Sequence, residues 1–102
     1  MTIPSLLSLK DADFKSYLET TFTVFFQADS PTPAILKTVV ELPVHPKMKR
    51  KPFSILFETQ QQTQYYPQAI YTVEHFAMGT LNIFLVPVGP CKDGIQYEAV
   101  FS

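Results

Sequence analysis

Between Gly79 and Gly89 the chain reads Gly-Thr-Leu-Asn-Ile-Phe-Leu-Val-Pro-Val-Gly, and residues 81–86 are apolar at five of six positions. A short apolar run rich in Ile, Val and Phe, bounded by turn residues, predicts a strand buried on both faces and central in a sheet. Pro87 has no N–H to give a ladder, so pairing is expected to fail on one side there, and Gly89 to open a turn. The other segments are then read as partners for this strand.

Alternation with a period of two marks several of them. Phe22, Val24 and Phe26 share one face of a strand over residues 20–27, with Thr21, Thr23 and Phe25 on the other. Ala28-Asp-Ser-Pro-Thr-Pro33 reads as a turn cluster. Residues 34–42 alternate again, which predicts Leu36, Val40 and Leu42 inward and Lys37 and Glu41 outward. Further strands are expected at residues 53–58, 69–74 and 95–101, the last with Ile95, Tyr97, Ala99 and Phe101 on one face. Asp93-Gly94 is a hairpin signal joining the last strand to the central one.

Before the strands, Leu9, Ala12, Phe14, Tyr17 and Leu18 follow a helical spacing behind a loose cap at Ser8–Asp11. This predicts a helix of two to three turns, too short to stand alone and therefore docked on the sheet. Residues 1–7 read as an extended arm docked by Leu6 and Leu7. The expected fold class is α+β: a short N-terminal helix, then about six mainly antiparallel strands in a meander that forms a curved sheet or small barrel. At 102 residues the whole chain, 1–102, is read as a single β-rich domain.

Composition narrows the function classes. A net charge of −1 gives no general attraction to nucleic acid or an anionic membrane. The lone Cys91 has no cysteine to pair with, and two histidines without any ligand spacing predict no metal site and no cofactor. No leader and no membrane-spanning run is legible, so a cytoplasmic protein is the expectation. Glu74, His75, Glu98 and Cys91 are the only groups an enzyme could use; local hydrogen bonding explains them better, and no catalytic residue is expected.

Two surfaces remain. Lys47, Lys49, Arg50 and Lys51 crowd a proline-framed loop that could grip an anion, although no aromatic residue lies within the run to stack on a base. Phe25, Tyr65, Tyr66 and Tyr71 are candidates for an apolar interaction surface, to which the loops at 65–68 and 43–51 would add. The expected function is a non-enzymatic interaction or structural module with a protein partner or a second copy of itself. The alternative is an anion or nucleic-acid binder through residues 47–51. No small-molecule substrate is evident.

The second half also carries blocks with a resemblance. Pro52-Phe-Ser-Ile-Leu-Phe57, Gln68-Ala-Ile-Tyr71, Glu74-His75, Met78-Gly79, Phe84-Leu-Val-Pro-Val-Gly89 and Tyr97-Glu-Ala-Val-Phe101 resemble a family of small uncharacterised bacterial domains. The likeness is close over residues 50–102 and only in outline over 8–42. Its signature positions fall on Phe53, Gln68, Tyr71, His75, Gly79, Phe84, Pro87, Tyr97, Glu98 and Phe101, with Arg50 matching the family's arginine. Tyr66 and Met78 stand where that family usually has Leu. The resemblance implies an accessory role, since such domains look like ones found beside phage-tail-like collar proteins. It implies no activity.

Overall fold

In the computed structural model, residues 9–27, 30–43, 46–47, 52–61, 65–92 and 94–101 are described. One helix, α1 (Asp11–Lys15), precedes six strands: β1 (Thr21–Gln27), β2 (Ser30–Glu41), β3 (Phe53–Thr59), β4 (Ala69–His75), β5 (Gly79–Cys91) and β6 (Gly94–Phe101). All pairings are antiparallel, and the strands close into a barrel in the order β1-β2-β3-β6-β5-β4. The barrel is two three-stranded meanders set side by side. Closure comes from β3 against β6 and from the shorter β1–β4 ladder, Thr23–Phe25 with Glu74–Thr72. The molecule is therefore mostly β rather than α+β, and the strand order is not a simple meander.

Every strand sends alternate side chains inward. Phe22, Val24 and Phe26 from β1 meet Phe53, Ile55 and Phe57 from β3, Leu81, Ile83 and Leu85 from β5, and Tyr97, Ala99 and Phe101 from β6. Aromatic rings fill the barrel at three levels. Phe14 of α1 packs on Phe53 and Phe101 at one end, Phe22 on Phe57 in the middle, and Phe26 among Tyr66, Tyr71 and Tyr97 at the other end.

The two ends are closed differently. α1 is only five residues long, shorter than the spacing predicts, and holds on through the fully buried Phe14. Asp13 Oδ2 accepts the Lys10 N–H at 2.8 Å, satisfying one donor of the first turn. The cap is Lys10, within the expected stretch 8–11. Ser8 and the predicted arm at 1–7 lie outside the described residues. At the opposite end the 60–68 connection crosses from β3 to β4, which lie across the barrel from each other in the strand order.

Three sequence expectations are corrected here. β5 is not buried on both faces: Leu81, Ile83 and Leu85 point inward while Asn82 and Phe84 face out. A barrel strand has one interior face, and Phe84 breaks the usual sign on its exterior one. Pro31 and Pro33 lie in β2, not in a turn. Leu36 directs its N–H and C=O at Thr20 and Glu19 beside β1, so by two-residue alternation the proline nitrogens face away from β1. The β3 ladder begins only at Ala34, so no hydrogen bond is lost there. Third, a bulge between Leu36 and Thr38 switches the phase of β2, turning Val39 toward the core and Val40 outward.

Pro87 does mark an irregularity, a bulge between Pro87 and Gly89 with Gly89 at φ 144°, but β5 continues beyond it to Cys91. Cys91 pairs with Gly94, so the hairpin closes there and Gly94 already belongs to β6.

Candidate interaction surface

Of the four aromatics expected at the surface, one is well exposed. Tyr65 is 63% exposed and lines an open groove of about 450 Å³ with Pro87, Val88, Pro90 and Ile95. Phe25 is half-buried on the outside of β1. Tyr66 stacks on Phe26 with ring centroids 4.7 Å apart and rings nearly parallel, and Tyr71 belongs to the core, its hydroxyl donating to the Pro67 carbonyl. Among the described residues of the connection to β4, Tyr66 and Pro67 meet Phe26, Tyr97 and Tyr71. Of the basic loop, Lys47 is exposed, while Lys49, Arg50 and Lys51 lie outside the described residues.

The signature positions serve the fold more than a site. Tyr97 fastens the crossover: its hydroxyl donates to Gln61 Oε1 at 2.8 Å and accepts the Tyr66 N–H at 3.0 Å. Burial pushes its phenol above the ordinary range, so the proton stays in place to donate. Tyr97→Phe should cost about 1–3 kcal/mol, because the Tyr66 N–H loses its acceptor in a part-buried setting; chemical denaturation measures it. Phe53 and Phe101 are core residues, Gly79 takes a φ of 79° at the end of the 76–78 turn, Gln68 is exposed, and Glu98 is half-buried on the outer side of β6.

His75 is fully engaged. Its Nδ1 accepts the N–H groups of Ala77 and Met78 at 3.1 and 3.2 Å. Its Nε2 lies 3.0 Å from Thr20 Oγ1, and that hydroxyl donates to the Tyr17 carbonyl. The only consistent arrangement is a neutral imidazole protonated on Nε2. Tyr17, Phe22 and Phe76 enclose the ring, and burial holds its pKa below the ordinary 6.5. Because the folded protein resists the proton that the unfolded chain accepts, this contribution to stability is full above about pH 6.5 and is lost as pH falls toward the lowered folded value. His75→Asn keeps an acceptor for the turn but should flatten that acid loss, which urea titrations at pH 5 to 8 measure.

Of the other groups considered for chemistry, Glu74 lines a groove together with His75, whereas Cys91 and Glu98 do not. Glu74 points to the opposite side of β4, and Cys91 lies at the far end of β5 from Gly79, which pairs with His75. Glu98 stands on the outer side of β6. Among the described residues no group of three or more His, Cys, Asp or Glu could hold a metal ion.

What stands out instead is the outer wall. Ile70 on β4 and Phe84 on β5 are direct cross-strand neighbours, 69% and 50% exposed. Val100 on β6 and Val40 on β2 flank the small Ser54 of β3, at 58% and 49% exposed. The β5–β6 ladder stops at Val86 with Glu98, and Phe84 and Val100 stand two residues beyond that stop on their strands. Ile70 and Phe84 thus form a short apolar band over β4 and β5, while Val100 and Val40 lie farther round the closed barrel. Alternation within 69–74 already sets Ile70 opposite Tyr71 and Val73, so this much was available in the sequence. Phe84 was hidden by its apolar neighbours and Val40 by the bulge.

Beside the band, toward α1, lies a more polar groove of about 450 Å³. Thr23, Glu74 and Thr80 form one cross-strand row over β1, β4 and β5, and Phe76, 84% exposed, stands at its edge.

A closed six-stranded antiparallel barrel with a helical lid and a partly apolar wall defines the structural class. Within it the chain belongs to the family described as Domain of unknown function (DUF6916), whose model matches residues 9–101. No curated protein and no solved structure matches it. Among the described residues no helix is long and apolar enough to cross a membrane.

Proposed function

We propose that this domain is a non-enzymatic interaction module, working by contact through its outer wall. The observation that carries the reading is the cross-strand pair Ile70–Phe84, two large apolar side chains at half exposure or more on neighbouring strands. Scattered single hydrophobics are ordinary, whereas large apolar side chains paired and bare on neighbouring strands suit a surface that a partner covers. Such a role suits an accessory part of a larger assembly, of which a phage-tail-like structure is one instance.

The test is the variant Ile70→Lys/Phe84→Lys. Both positions face solvent, so melting temperature should change little. Concentration-dependent light scattering and affinity capture from the source cells should lose whatever self-association or discrete captured protein the wild type shows. A variant equal to wild type in both measurements contradicts the reading. For the basic loop, replacing its four cations by Ala should leave the association intact; its loss would favour the anion-binding alternative.

A further inference from the structure

The groove beside the apolar band has its own chemistry. Glu74 is exposed and makes no ion pair among the described residues. Its cross-strand neighbours Thr23 and Thr80 bring hydroxyl acceptors to either side, and Thr21 adds a third. Phe76 offers a ring that is largely bare. The remaining polar ring nearby, His75, is neutral and spends both nitrogens inside the protein, so no positive charge opposes Glu74 from within the groove. A carboxylate, several hydroxyl acceptors and one aromatic face together want a flat cation with many donors.

We infer that this groove receives an arginine side chain of a protein partner whose apolar residue rests on Ile70 and Phe84. A guanidinium can pair with the carboxylate, donate to the threonines and stack on Phe76 at once, which a lysine ammonium cannot. Charge complementarity selects the occupant. Spacing adds to it: Glu74 and Ile70 are four strand residues apart, about 13 Å. The partner carries its arginine and its apolar anchor at that separation, as residues i and i+4 of an extended segment do.

The inference rests on the proposed interaction role, yet its test is separate from the association test. The probe is N-acetyl-arginine-methylamide at low ionic strength, followed by amide NMR shifts, with the neutral citrulline analogue as control. Saturable shifts should centre on Thr23, Glu74 and Phe76. Glu74→Gln should weaken binding about fivefold and Phe76→Ala about threefold, in line with an exposed ion pair and an exposed cation–π contact. The citrulline analogue should bind at least about fivefold more weakly than the arginine probe, and Ile70→Lys/Phe84→Lys should still bind the arginine probe. No saturable shift with the arginine probe, equal shifts with citrulline, or unchanged binding in either groove variant overturns the inference. Any of these leaves the apolar band's role standing.

Discussion

Gly94→Ala should destabilise the protein by about 3 kcal/mol or more, at the upper end of what a small-to-large change in a packed site costs. The cause is a close approach rather than backbone freedom. A Cβ on residue 94 would lie 1.9 Å from the Thr59 carbonyl oxygen and 2.8 Å from the Gln60 Cα, and both obstacles are backbone. Relief requires β6 to move away from the end of β3, where Thr59 Oγ1 also bonds the Ile95 carbonyl at 3.0 Å. For a domain of this size each kcal/mol is worth roughly 4–8 °C, so calorimetry should show a fall in melting temperature of at least ~12 °C. A fall below ~4 °C would mean that the strands do not approach this closely.

Phe57→Ala should cost about 3–5 kcal/mol, the range for truncating a fully buried aromatic. Phe57 is completely enclosed, pairs with Tyr97 on β6, and meets Phe22 edge-on at 5.1 Å. It stands between the aromatic layer under the helix and the one under the crossover. A cavity there removes contacts that join the two meanders, so unfolding should stay cooperative with a lower midpoint in urea. A change below about 1 kcal/mol would place Phe57 outside the core.

Which parts of the fold were legible depended on how far local pattern decides the matter. The inward faces of β1 and β6 follow from strict alternation: Phe22, Val24, Phe26, Tyr97, Ala99 and Phe101 are buried, and Ile95 is partly so. The hairpin at 91–94 was legible too, though Gly94 proves to be required by the nearness of Thr59 rather than by the turn. Alternation fails where a bulge inserts a residue: the shift between Leu36 and Thr38 reverses Val39 and Val40, and no local composition announces it. Pro31 and Pro33 look like a turn because one-sided pairing, a property of the closed barrel, is what admits them to β2. Strand order is likewise non-local, since β3 must pass over β4 and β5 in sequence to find β6.

The same division explains the site. An apolar run such as residues 81–86, broken only by Asn82, carries little sign of which face meets solvent and reads as a doubly buried strand. Tyr66 and Tyr71 read as surface residues because nothing in the sequence says that Tyr66 stacks on Phe26 or that Tyr71 points into the barrel. Ile70 and Phe84 become a surface only when β4 and β5 are set in register.

The contact role of the outer wall is the central claim, and site-specific photo-crosslinking in the source cells tests it most directly. A photoreactive phenylalanine analogue would replace Phe84 in one variant and the exposed Ala12 of α1 in another. The account predicts a discrete crosslinked product from position 84, whether a second copy or another protein, and none from position 12. No discrete product at 84, or the same products from both positions, would contradict it.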